Sequence, residues 1–383
     1  MRYGSFVPSG RPSTAARLGV LHDDVVYDLS ALHAERPVPW PELLTAANLD
    51  PLLAEGSRAW REVHEWLGAT LADPEPLAGY GHAPAAVTSL LPFTVADYVD
   101  FYACEQHAVN AARILRPDAE PLAANWRHLP VGYHGRSATV RASGAPVRRP
   151  HGPRGPGDFG PTRALDFECE LGFVVGGPAT TPGEPVPMDA TGEHLFGVVL
   201  LNDWSARDVQ AWESRPLGPL LGKAFATSIS AWVTPWDELA AARVDPPPRD
   251  PEPLPYLHGD ADRGLELAVE VRINDEVVSR PPSEALYWTA PQLLAHLTCG
   301  GATVQPGDLL GSGTLSGPER AQRGCLLELS WGGREPLALA CGGELTYLRD
   351  GDEVLITASA VAVGGGRVEL GEVRGTVLPA LEP

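Results

Sequence analysis

The segment Leu165-Asp166-Phe167-Glu168-Cys169-Glu170-Leu171 alternates strictly, with apolar side chains at 165, 167, 169, 171 and 173 and carboxylates at 166, 168 and 170. A period of two predicts a strand, and on a strand the three acids leave one face about 7 Å apart. Like charges stacked in this way repel unless something positive lies between them. Two arrangements answer the problem. One is a bound divalent cation, because hard cations favour carboxylate oxygens. The other is a solvated edge strand with an acidic face.

Short alternating segments recur along the chain, separated by turns such as Pro306-Gly307-Asp308 and Asp350-Gly351-Asp352. The 383 residues include 41 glycines and 39 prolines, a turn-rich composition still below the ~25–30% of low-complexity chains. At ~150 residues per domain the length implies two or three domains, and chains of this size bury roughly three quarters of their unfolded surface. Residues 17–21 and 25–28 flank His22-Asp23-Asp24 and predict a hairpin. Trp60, Val63, Trp66 and Leu67 recur at helical spacing. Pro74, Pro76, Gly79 and Gly81 then break the pattern, placing a domain boundary between about 75 and 95. Residues 150–161 read as a Gly/Pro loop, either an ordered lid or a mobile flap, and 245–255 as a surface loop. No internal repeat is present. The C-terminal part reads as a β-rich α+β domain.

Composition excludes several function classes. With 29 basic and 49 acidic residues the net charge is −20, and no cluster of five Lys/Arg occurs. A duplex carries one negative charge per ~1.7 Å, so neither nucleic acid nor an anionic membrane is an expected partner. The cysteines (Cys104, Cys169, Cys299, Cys325, Cys341) are odd in number and lack a C-x-x-C pair, against a disulfide framework or structural zinc. The first residues, Met1 to Ser5, have no apolar signal-peptide core. The apolar run at 195–201 is far short of the ~18 residues of a membrane span. The expectation is a soluble protein of a reducing, cytoplasmic compartment. Phosphate-loop and dinucleotide-binding strings are absent, as are H-E-x-x-H and G-x-S-x-G.

Other segments carry usable chemistry. The run 195–201 predicts a buried strand leading into Asn202-Asp203-Trp204-Ser205. A helix beginning near Asp203 would put Asp203, Arg207 and Gln210 on one face. Asp203 then either gives an oxygen to a cation or caps the helix and pairs with Arg207. Arg207 and Gln210 could hydrogen-bond a polar substrate or a developing oxyanion. Asp97-Tyr98-Val99-Asp100-Phe101-Tyr102 precedes Glu105-Gln106-His107 at a helix start. There His107 is either structural or a base that titrates near neutrality. Gly222-Lys223-Ala224-Phe225 and Gly311-Ser312-Gly313-Thr314 add two turn-flanked polar sites.

Taken in order, these strings resemble the fumarylacetoacetase family, hydrolases that end tyrosine and phenylalanine breakdown. The match includes 97–102 with Gln106-His107, Asn125-Trp126, 128–136, 165–171, 202–208, 216–219, 221–223 and 306–310. It spans nearly the whole chain. The resemblance implies a small N-terminal SH3-like β-barrel domain over 1–90, a larger C-terminal mixed β-roll catalytic domain over 91–383, and a homodimer. By matching position, Asp100, Glu168, Glu170 and Asp203 are the implied ligands of Ca²⁺ and/or Mg²⁺. Lys223 and Thr227 fall where a further Mg²⁺ or cofactor-side contact is implied. His107 is the implied general base, oriented by Glu328. Arg207, Gln210 and Lys223 form the implied cradle for the tetrahedral intermediate. Tyr102, Arg116, Tyr133, Gln210 and Thr314 match substrate-contacting positions. The implied reaction is metal-dependent hydrolysis of a C–C bond in a 1,3-diketo acid, fumarylacetoacetate first among substrates.

Two positions depart from the family pattern. Ser214 stands where a substrate-contacting tyrosine is usual, and Glu105 where an arginine is common beside the base. Both favour an alternative reading, a biosynthetic family member that decarboxylates, isomerises or condenses another dicarbonyl compound. A third reading, a non-catalytic binding protein, requires loss of the base or the ligands. His107, Glu328 and all four carboxylates are present.

Overall fold

The N-terminal strands β1 (Arg2–Pro8), β2 (Arg17–His22) and β3 (Val25–Asp28) form an antiparallel meander. Asp23 and Asp24 both take positive φ, 45° and 58°, the left-handed pair that a tight two-residue hairpin turn requires. Helix α1 (Ser57–Leu71) buries Val63, Leu67, Thr70 and Leu71, the stripe its spacing predicts. This computed structural model describes residues 1–72, 77, 79–340 and 342–382. Pro74, Pro76 and Cys341 lie outside the described residues.

The elements that build the site follow in order: β4 (Tyr98–Phe101), α2 (Glu105–Leu115), β5 (Gly132–His134), β6 (Cys169–Val175), β7 (Leu195–Asp203), α3 (Arg207–Glu213), β8 (Thr227–Ile229), β9 (Trp232–Pro235), β10 (Leu309–Gly311) and α4 (Leu326–Leu329). A thirteen-stranded sheet runs Gly81–His82, β3, β2, β1, β9, β7, β6, β10, β4, β5, with β8 beside the end of β7. Every residue of β6 and β7 is buried, as a central strand covered on both faces must be. Each large apolar side chain so buried contributes about 1.5–3 kcal/mol.

The N-terminal strands do not stand apart. β1 pairs with β9, Tyr3 opposite Val233, so the meander continues into the sheet that holds β6 and β7. Among the described residues no strand closes a barrel, and the architecture is mixed α/β and strand-rich. The C-terminal strands Glu353–Val361 and Arg367–Leu378 pair with each other, and Ala268–Ile273 joins them in a second, five-stranded sheet. The Gly/Pro segment at 150–161 is a hairpin, His151–Gly155 against Asp158–Pro161. Its Gly152 lies on α3, where a Cβ would meet Val209 at 2.7 Å. Among the described residues no helix is long and apolar enough to cross a membrane.

Candidate active site

The sheet order brings distant acids together. Asp100 on β4 lies opposite Gly311 of β10, β10 pairs with β6, and β6 pairs with β7, which ends at Asp203. Asp100, Glu170 and Asp203, all buried, each offer an oxygen within 4.8 Å of the others. Gly311 keeps the space between them clear: a Cβ there would stand 2.5 Å from Asp100 Oδ1 and 3.2 Å from Glu170 Oε2. The Gly313 amide donates to Glu170 Oε2 at 3.1 Å.

Glu168 is held by two cations of the protein itself. Its Oε1 accepts from Arg207 Nη1 at 2.7 Å, and its Oε2 accepts from Lys223 Nζ. Lys223 also donates to Asp203 Oδ2 at 2.7 Å, while Thr227 Oγ1 donates to Asp203 Oδ1 at 3.0 Å. Tyr133 OH donates to Asp203 Oδ2 at 3.2 Å. Burial opposes the charge on Lys223, but Asp203 and Glu168 overcome it and raise its pKa. A protonated amine has no lone pair, so the Lys223 side chain acts here as a counter-ion to the carboxylates.

The strand expected at 165–171 is broken. Leu165–Asp166 pairs with Ser205–Ala206, and β6 restarts at Cys169. Asp166 therefore leaves the acidic row. Its Oδ2 accepts from Arg207 Nε at 2.8 Å, and its two oxygens accept from the amides of Leu326 and Leu327, at the start of α4. The acidic segment is neither solvated nor at an edge: Asp166, Glu168 and Glu170 are all buried. Helix α3 starts at Arg207, so Asp203 belongs to β7 and does not cap the helix, and Arg207 pairs with Asp166 and Glu168 rather than with Asp203. Arg207 Nη1 also donates to Gln210 Oε1 at 3.1 Å.

A second buried carboxylate sits close by. Glu328 on α4 accepts from Asn110 Nδ2 at 2.8 Å, Ser316 Oγ at 2.7 Å and Cys325 Sγ at 3.2 Å. His107 Nδ1 lies 2.8 Å from Glu328 Oε2. His107 is in the first turn of α2, its ring edge-on to Tyr102 with centroids 5.3 Å apart. Burial alone would raise the Glu328 pKa, yet His107, Ser316 and Asn110 hold it below the ordinary value.

The acids around Gly311 behave oppositely. Burial and then the Asp203 charge push Asp100 up to about 7. Burial, with Asp100 and Glu168, drives Glu170 well above the carboxylate range. Glu168 is the exception: burial opposes its ionisation, but Lys223 and Arg207 bring it down to about 2. Asp100 Oδ1 and Glu170 Oε1 are buried without a hydrogen-bond partner. A pocket of hard oxygen donors short of positive charge fits a divalent cation.

The remaining expected residues divide. Thr314 is buried with an unpartnered Oγ1, and Arg207 Nη2 is likewise buried and unpartnered. Tyr102 and Gln210 border the same cluster, half-buried. Arg116 is exposed, at the C-terminal cap of α2, close enough for its charge to act on Tyr102. Ser214 caps α3, and Glu105 accepts a hydrogen bond from Arg127, an ion pair that offsets its charge beside His107. Sequence reasoning missed Asn110, Ser316 and Cys325. Asn110 was accessible, since it follows His107 by three residues on one helix face.

Residues 98–378 match the family model described as fumarylacetoacetate (FAA) hydrolase, C-terminal. The fold and the match define a class of hydrolases acting on carbon–carbon bonds. The chain belongs to the fumarylacetoacetase family. It is 41% identical over 404 residues to the fumarylacetoacetase of Homo sapiens, covering 100% of this chain and 96% of the relative. It is 40% identical over 402 residues to that of Bos taurus, covering 99% and 95%. Among solved structures, the fumarylacetoacetate hydrolase of Exiguobacterium antarcticum shares the fold, with TM-score 0.59 and 17% identity over 99% of each chain. The maleylpyruvate hydrolase of Sphingobium sp. SYK-6, in complex with manganese (II) ion and pyruvate, shares it with TM-score 0.54 and 18% identity over 100% of each chain.

Proposed function

We propose that this chain hydrolyses fumarylacetoacetate to fumarate and acetoacetate, with Ca²⁺ or Mg²⁺ held by Asp100, Glu168, Glu170 and Asp203. The observation that carries the reading is the 2.8 Å contact between His107 and an ionised Glu328 beside carboxylates that lack positive charge. A cation bound by these residues would supply Lewis acidity to the carbonyl oxygens of the substrate.

Glu328 binds the Nδ1 side of His107, so Nε2 is the nitrogen that takes the proton from water. The charge on Glu328 then stabilises the imidazolium. The proton passes on to the departing carbanion as the C–C bond breaks. Arg207 Nη2 and Thr314 Oγ1, buried without partners, are donors for substrate oxygens, and Gln210 and Lys223 complete the cradle. Removing one such donor typically costs ~3–4 kcal/mol of barrier height. Tyr102 and Tyr133 line the diketone, Thr227 steadies Asp203, and Arg116 at the rim receives a substrate carboxylate.

The same reading divides the chain into 1–90 and 91–383, places it in the cytoplasm, and pairs two copies. Trp212, Leu217, Leu220 and Leu221, respectively 50%, 96%, 65% and 48% exposed, are large apolar side chains open to solvent within one short stretch of chain, which supports the pairing. The test is an assay of purified protein with Mg²⁺ or Ca²⁺ and fumarylacetoacetate, following loss of the diketone's ultraviolet absorbance. Turnover that disappears in His107→Ala supports the reading. A metal-loaded protein that leaves the absorbance unchanged contradicts it.

A further inference from the structure

Tyr98 lies behind the acidic cluster, 1% exposed, and its hydroxyl has no hydrogen-bond partner. As core filling alone, a phenylalanine would serve, since a buried hydroxyl without a partner is unfavourable. The surroundings explain the oxygen. Tyr98 precedes Asp100 by two residues on β4, so both side chains leave the same face of the strand. Across the β4–β10 pairing Tyr98 is opposite Leu309 and Asp100 is opposite Gly311. A Cβ built on Gly311 would stand 3.2 Å from Tyr98 OH, 2.5 Å from Asp100 Oδ1 and 3.2 Å from Glu170 Oε2. Three polar atoms therefore converge on the space that this glycine leaves open. Gly135 fixes the other side, because a Cβ there would stand 2.2 Å from Tyr98 Cδ1. The ring lies against bare backbone and has little room to turn.

We propose that Tyr98 is a positioning residue for the metal ligands, its hydroxyl donating to Asp100 Oδ1 once the other oxygen of that carboxylate holds a cation. Carboxylate ligands are ordinarily oriented by such outer partners, and here Asp100 Oδ1, which faces the same space as the Tyr98 hydroxyl, has no donor of its own. The inference rests on the cation reading above and adds a determinant of cation affinity.

The experiment is a calorimetric titration of the metal-free full chain with Ca²⁺ alone and with Mg²⁺ alone, for wild type and Tyr98→Phe. The Kd of Tyr98→Phe should rise about ten- to a hundredfold. Its metal-free Tm should equal or exceed the wild-type value, since the hydroxyl has no partner there, while the rise in Tm on adding the ion shrinks in step with the weaker affinity. In an Asp100→Asn, Glu170→Gln background the same change should add nothing to Kd, which a packing role would not produce. 4-Fluorophenylalanine at position 98 fills the hydroxyl's place without donating and gives a second test if Tyr98→Phe folds poorly. A Kd within twofold of wild type in either variant overturns the inference while leaving the cation reading standing. A wild-type protein that takes up neither ion overturns both.

Discussion

Two buried carboxylate groups lie side by side in this molecule and are treated in opposite ways. Around Glu328 the protein supplies what the charge requires: His107, Asn110, Ser316 and Cys325 all reach its oxygens, and its pKa falls. Around Gly311 it does not. Asp100 and Glu170 keep unpartnered oxygens, and their pKa values rise through burial and mutual repulsion. Burial is common to both groups; the supply of donors differs. The first group is finished as an internal structure and suits a histidine that takes up a proton and passes it on. The second is finished only by positive charge from outside, and Lys223, shared between Glu168 and Asp203, offsets only part of the deficit.

That contrast is sharpened first by separating its halves. His107→Ala should lower kcat by ~10²–10⁴, the range of general-base catalysis, and leave Ca²⁺ affinity unchanged, as kinetics and calorimetry on one preparation would show. A matching loss of cation affinity would merge the two groups. Asp100→Asn should do the reverse, weakening cation binding by more than about 100-fold, beyond the usual effect of an outer partner. With saturating ion it should recover part of its turnover.

pH supplies the next effect. In the metal-free protein Asp100 and Glu170 bind protons more tightly folded than unfolded, so stability falls as pH rises from about 4 through 7. Glu168 and Glu328 have lowered pKa values, and their contribution grows as pH rises towards the ordinary carboxylate range and is complete above it. Between pH 5 and 7.5 the metal-free Tm should therefore decline, and saturating cation should flatten the decline. A metal-free profile that rises over this window would contradict the charge deficit. The smallest effect belongs to the exposed pair at the departing position. Glu105→Ala breaks the ion pair with Arg127, should change stability by only about 0–1 kcal/mol and should leave kcat near wild type. A large fall in kcat would show that the pair acts on His107.

Much of the site was legible because its residues sit in local strings: Asp100 with Tyr102 and His107, Glu168 with Glu170, and Asp203 with Arg207 and Gln210. What bound Arg207 was not legible, since strict alternation hides the break after Asp166 that turns this acid towards Arg207 and α4. Ser316 and Cys325 reach Glu328 through tertiary packing, which leaves no periodic trace. The place of the N-terminal strands in the large sheet was hidden for a related reason. A hairpin and its neighbours are visible locally, but the β1–β9 pairing spans more than two hundred residues.

The most direct measurement of the central claim is calorimetric titration of the metal-free chain with Mg²⁺ and with Ca²⁺ at pH 7, repeated in two buffers of different ionisation enthalpy. One tight cation per chain should bind with net release of protons from Asp100 and Glu170, and that release should be lost in the Asp100→Asn, Glu170→Gln double variant. Binding without proton release, or equal binding by the double variant, would contradict it.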